Sequence, residues 1–94
     1  MSVHLLFAAA DLSPRQVTPL QKLALMKIAD SADDQTRIST PTLQRIASWA
    51  GVSENQADEI VCELAESGLL AVDRHEDEVS YQVFPDGVPP LRHT

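Results

Sequence analysis

The side chains able to do recognition chemistry in this 94-residue chain fall into two opposed sets. Ser53, Asn55 and Gln56 carry the hydroxyl and amide groups that hydrogen-bond nucleobase edges, Asn and Gln pairing with adenine. Arg37, Arg45 and Arg74 are guanidinium groups suited to phosphate oxygens. In the same stretch stand Glu59, Glu63 and Glu66, and beyond them Glu76 and Asp77. These carboxylates repel phosphate and suit a protein partner instead. Trp49 has two readings, a cover for the core rim or a partly exposed anchor for a protein, since Trp is enriched in interface hot spots.

Covalent chemistry has no comparable support. His4, His75 and His93 are scattered, and Cys62 has no CxxC partner or HxxxH companion of the kind that holds zinc. There is no Gly-rich phosphate loop. The expectation is a protein that is not an enzyme and takes no metal or cofactor. Cys62 lies near Ile60, Val61 and Leu64, which predicts a reduced, half-buried thiol.

The elements that must position these groups are readable from their caps. Thr18-Pro19-Leu20-Gln21 starts a helix over residues 19–31, with Thr18 as cap, Pro19 in the first turn and Gln21 closing a capping box. Its apolar residues exceed one stripe: Leu20, Leu23, Ala24 and Ile28 align, while Leu25, Met26 and Ala29 lie outside. So wide an apolar surface predicts a central helix or a subunit interface. A polar loop and a one- or two-residue strand at Ile38 follow. Thr40-Pro41 opens a second helix with Leu43, Ile46, Ala47 and Ala50 on one face, and Gly51 supplies a left-handed turn residue. Ser53 and Gln56 form another capping box, opening a third helix with Ala57, Ile60, Val61 and Leu64 inward and Gly68 at its end. Residues 69–74 and 79–84 pattern as strands of a hairpin joined by His75-Glu76-Asp77-Glu78. Asp86-Gly87 turns the chain and Pro89-Pro90 leads into a loose tail.

Two short helices joined at Ala50-Gly51-Val52-Ser53 have the layout of a helix-turn-helix, and the hairpin after them makes the winged order. The predicted class is α+β, mainly α with a small β-hairpin, a three-helix winged helix-turn-helix. The predicted division is residues 1–17 as a lead-in or short strand, 18–85 as the domain and 86–94 as a flexible tail. The sequence also resembles phage and plasmid replication-initiator or transcription-regulator domains of that superfamily. The resemblance is carried by Leu23-Ala24-Leu25-Met26-Lys27-Ile28-Ala29-Asp30 with Asp33-Asp34, by Ser39-Thr40-Pro41-Thr42-Leu43, by Ala50-Gly51-Val52-Ser53 and by Leu64-Ala65-Glu66-Ser67-Gly68-Leu69-Leu70. It spans roughly residues 20–83 and implies DNA binding through the third helix, with the hairpin on the phosphates. Such families carry basic or hydroxyl residues where this chain has Gln56, Asp58 and Glu59, and basic ones where its hairpin tip has Glu76, Asp77 and Glu78.

Charge cuts across that implication. The net charge is −7, and it is unevenly placed. Residues 1–51 hold five Lys and Arg against four acids, residues 52–68 hold five acids and no base, and residues 69–90 hold five acids and Arg74 alone. A steeply salt-dependent DNA binder neutralises roughly 6–10 phosphates. Seven Lys and Arg cannot all share one face, although a dimer doubles the supply. Glu59, Glu63 and Glu66 follow each other at i, i+4 and i+7, a spacing at which like charges cost ~0.2–0.5 kcal/mol per pair. The sequence thus leaves two functions open: a DNA-binding regulator, or an acidic interaction module or inhibitor that does not bind DNA through its third helix. The compatible partners are DNA, another protein or a second copy. The run Leu5-Leu6-Phe7-Ala8-Ala9-Ala10 has no Lys or Arg before it and falls short of the ~20 apolar residues that span a bilayer. A cytoplasmic protein without a membrane partner is expected.

Overall fold

The computed structural model describes residues 3–75 and 78–85. In chain order the elements are α1 (Val3–Ala10), α2 (Pro19–Ser31), β1 (Ile38–Ser39), α3 (Leu43–Ala50), α4 (Glu54–Glu66), β2 (Leu70–His75) and β3 (Glu78–Val83). The three strands form one antiparallel sheet in the order β1-β3-β2. The architecture is the α+β winged helix-turn-helix, with one helix more than the three expected.

That extra helix is α1. The N-terminal segment is neither a strand nor a lead-in, because Leu5 and Ala9, one turn apart, are both buried in the main core. An Ala-rich run has high helix propensity, and here a buried i, i+4 pair gives it a tertiary reason to coil. The Lys22 ammonium donates to the Ala10 carbonyl at 3.0 Å, closing the end of the helix. Leu12 and Val17, in the connection, are buried as well. Residues 3–17 therefore belong to the folded domain.

α2 is the hub, packed against α1, α3, α4, β1 and β3. Its capping box is formed as expected, with the Gln21 amide N–H donating to Thr18 Oγ1 and the Thr18 N–H donating to Gln21 Oε1. Its inward face is Ala24, Leu25, Ile28 and Ala29, whereas Leu20 and Leu23 stay exposed. The expected stripe thus shares only Ala24 and Ile28 with the real one. α1 and the α3–α4 pair approach from directions that draw in Leu25 and Ala29 instead.

The loop after α2 is organised by Asp33, whose Oδ2 accepts the Thr36 N–H at 2.8 Å and the Gln35 N–H at 2.9 Å. These bonds, that from Thr36 foremost, hold the carboxyl below its usual range. The loop ends at Arg37, a non-glycine residue with φ +64°. Its carbonyl accepts from Val83 N–H, and its Nη1 donates back to the Val83 carbonyl at 3.4 Å. β1 follows, as expected at Ile38, and lies along β3 with Ile38 opposite Gln82.

α3 is capped by Thr42, whose Oγ1 accepts from Arg45 N–H, two residues later than expected from Thr40-Pro41. Its buried residues Ile46, Ala47 and Ala50 face the core, with Leu43 and Trp49 packed at the margin. Gly51 turns the chain at φ +72°, a left-handed value that glycine adopts without Cβ strain. The Val52 N–H reaches back to the Ala47 carbonyl. α4 opens at Ser53 with its capping box and buries Ala57, Ile60, Val61 and Leu64. Gly68, at φ +80°, then lets the Leu69 N–H bond the Leu64 carbonyl and sends the chain into β2. β2 and β3 pair from Leu70↔Val83 to His75↔Glu78, so each strand runs one residue further toward the tip of the hairpin than the polar run suggested. The expected turn at Asp86-Gly87, the Pro89-Pro90 tail and His93 lie outside the described residues.

Candidate nucleic-acid interface

α4 separates cleanly into two sides. Its apolar residues point into the core, and Glu54, Asn55, Asp58, Glu59, Cys62, Glu63 and Glu66 are all exposed. Cys62 is therefore not half-buried: it sits on the outer surface among the acids. A position between Val61 and Leu64 looks apolar in sequence, but it falls just outside the inward arc of the helix.

The base-reading candidates at the start of α4 are unequally available. Ser53 Oγ accepts the Gln56 N–H at 3.2 Å, and Gln56 Oε1 accepts the Ser53 N–H at 3.2 Å. Both oxygens are occupied in building the helix end. Asn55 stands in the same first turn and is exposed. Further along, Glu63 Oε1 accepts from Gln21 Nε2 at 3.1 Å, tying the outer face of α4 to the start of α2. Glu59 and Glu66 are exposed on the same helix.

The three candidate arginines occupy different settings. Arg37, at the end of the loop before β1, is tied to the sheet, with its guanidinium 5.9 Å from the centre of the Phe84 ring and bonded to the Val83 carbonyl. Arg45 is exposed on α3 and lines an open hollow of about 550 Å³ with Thr40, Pro41, Thr42, Gln44, Ser48 and Trp49. Arg74, on β2, lines a second cleft of about 380 Å³ between the start of α3, α4 and the hairpin. Its Nη2 lies 3.9 Å from Asp58 Oδ1, with the two side chains 63% and 52% exposed. Tyr81 forms part of that cleft, and burial raises its phenol pKa. Thr40, Pro41 and Thr42 border both depressions, so Arg45 and Arg74 flank one hydroxyl-bearing rim at the N-terminus of α3.

The sequence pointed to Arg45, Arg74 and Asn55 but not to the rim or to the Asp58–Arg74 pair. The signal for the rim was the Thr-Pro-Thr triplet, of which one Thr caps α3 and the other remains exposed. No local signal exists for a pair joining a helix to a strand sixteen residues away in sequence. Trp49 is half-buried, packed against the core at its rim, and it also lines the Arg45 hollow. Glu76 and Asp77 lie outside the described residues.

Among the described residues no cluster of three or more His, Cys, Asp or Glu is placed to hold a metal ion, and no helix is long and apolar enough to cross a membrane. A family model described as a helix-turn-helix domain matches residues 16–70. Neither the curated proteins nor the solved structures yield a match. The match takes in α2, β1, α3 and α4, more than half of the chain, and the hairpin that follows completes the winged form. The chain belongs to the helix-turn-helix domain family, with α3 and α4 as its paired helices.

Proposed function

We propose that the chain is a non-enzymatic, cytoplasmic DNA-binding regulator of transcription or replication, of the phage or plasmid type. The observation carrying this reading is the rim at the start of α3. There, hydroxyls of Thr40 and Thr42 stand between Arg45 and Arg74. A helix N-terminus flanked by guanidinium groups favours phosphate oxygens through hydrogen bonds and the helix dipole. Asn55 and the α4 start supply the amide able to read a base edge. The phage or plasmid setting rests on the resemblance of residues 23–30 and 64–70. An anisotropy titration with mixed-sequence duplex DNA at low salt tests it. Binding that weakens steeply with salt and is lost in an Arg45→Ala, Arg74→Ala double variant is the expected result. No binding by folded protein at tens of micromolar refutes it.

A second reading is favoured by one specific arrangement. All five acids of α4 are exposed, and the Arg74 guanidinium lies against Asp58. This supports an acidic protein-interaction module or inhibitor whose outer α4 face meets a basic protein, with Trp49 on α3 as a further contact. Capture of a partner by wild type but not by a Glu59→Lys, Glu63→Lys variant, without DNA binding by either, selects this reading over the first.

A further inference from the structure

Strand alternation carries one face of the hairpin out of the core and towards α4. Leu70, Val72 and Arg74 share that face of β2 and stand opposite Val83, Tyr81 and Val79 on β3. Leu70, Val83 and Tyr81 lie in the core, Val72 and Val79 pack against it, and Arg74 passes beyond it. This end of the face borders the open cleft of about 380 Å³, which Leu43 on α3, Asp58 on α4 and Glu78 on β3 also line. Tyr81 gives the cleft its chemical character. The residue is only 3% exposed, yet among the described residues its hydroxyl has no hydrogen-bond partner, and it is not sealed from solvent. The charged groups acting on it include Arg74 and Asp58, both in the cleft lining. A phenol so deeply held, with its one polar atom opening on a cleft, is a hydrogen-bonding group left for a ligand.

We propose that this cleft binds a free α-amino acid with an apolar side chain, its carboxylate on Arg74 and the Tyr81 hydroxyl and its ammonium on Asp58 and Glu78. The lining selects that class by elimination. A simple anion would gain Arg74 but meet Asp58 and Glu78, and a simple cation would gain the carboxylates but meet Arg74. A zwitterion with both charges on one carbon lies antiparallel to the Arg74–Asp58 pair and gives each group its opposite. That pair is open to it. Its 3.9 Å separation exceeds a direct hydrogen bond, both side chains are more than half exposed, and such pairs contribute little by themselves. Leu43 and Val79 supply an apolar wall for the ligand's side chain. Small-molecule pockets run ~300–1,000 Å³, and this one stands at the small end, the scale of a single amino acid. The site does not depend on DNA binding. Within the DNA-binding reading, an occupied Arg74 is withdrawn from phosphate, so the ligand lowers affinity for duplex.

The test is a nitrogen-15 NMR titration of the full chain, without DNA, using L-alanine, L-valine, L-leucine and L-phenylalanine up to tens of millimolar. At least one is expected to shift the amide signals of Leu43, Val79 and Tyr81 saturably. The amide and the N-acetyl derivative of that amino acid each lack one charge and are expected to bind about tenfold more weakly. Arg74→Gln and Tyr81→Phe, each checked for folding by circular dichroism, are expected to weaken binding of the parent amino acid by about threefold or more. The absence of saturable shifts at the cleft with all four amino acids overturns the proposal. Binding of either derivative as tightly as the parent overturns it too, because the site would then read one charge alone. So does undiminished binding by Arg74→Gln.

Discussion

Replacing Asp58 by Asn tests the contribution of one carboxylate to the proposed recognition of a duplex. In the free protein the Arg74 guanidinium lies 3.9 Å from Asp58, and both side chains are more than half exposed. Two unit charges about 4 Å apart in water attract by about 1 kcal/mol, and exposed pairs measured by double-mutant cycles give ~0.2–1 kcal/mol. Arg74 must give up that attraction to serve a phosphate. Asp58→Asn removes the cost, and the ceiling of about 1 kcal/mol corresponds to about fivefold tighter binding. The variant also adds one effective cation to the contact, so the slope of log affinity against log salt should steepen by about 0.9. Fluorescence anisotropy with a labelled duplex at several salt concentrations reads both quantities. Arg74→Ala should weaken binding, and Asp58→Asn in that background should gain little. The reasoning is refuted if Asp58→Asn gains as much affinity without Arg74 as with it, because the carboxylate would then act through its own charge and not through the pair. An unchanged salt slope with Arg74 present refutes it equally.

Other outcomes test the fold that holds the interface. Leu5→Ala should cost about 2–5 kcal/mol in urea denaturation, since Leu5 is buried in the main core. At ~4–8 °C per kcal/mol for a domain of this size, its melting temperature should fall by about 8 °C or more. Ser53→Ala should cost about 0.5–2 kcal/mol through loss of the α4 cap, measured in the same way. Asp33, held below the usual carboxylate range by the Thr36 and Gln35 N–H groups, contributes stability that is present above its unfolded pKa and lost as pH falls through its lower folded value. Acid titration followed by circular dichroism should show this loss in wild type and a shallower one in Asp33→Asn. Tyr81 runs the opposite way: burial raises its pKa, so stability is full below the ordinary phenol value and declines as pH climbs through the raised one. Tyr81→Phe should flatten that alkaline limb.

What the sequence made legible was local. Thr18 with Gln21 and Ser53 with Gln56 announce two helices because a capping box spans four residues, and Gly51 marks a turn that needs a positive φ. Where two nearby residues offer the same chemistry, the reading slips: Thr40 and Thr42 can each cap a helix, and Thr42 does so. The eight residues of α1 show no clear period, so only their burial against α2 decides between strand and helix. The face of α2 that is covered likewise depends on which elements arrive around it. At the interface, residue types pointed to Arg45, Arg74 and Asn55, but the partnership of Arg74 with Asp58 and the anchoring of Arg37 at Val83 and Phe84 exist only through tertiary folding.

The outer helix and the late strands have a consequence for the way such domains are cut and joined. The stretch matched by the family model starts after α1 and ends at Leu70, yet Leu5, Ala9, Leu12, Tyr81 and Val83 fill the same core as α2, α3 and α4. A fragment trimmed to residues 16–70 would present that core to water on two sides at once, above α2 and beneath the hairpin. The recurring module is therefore smaller than the cooperative unit, and a graft that transplants only the module carries an unfinished interior into its new host.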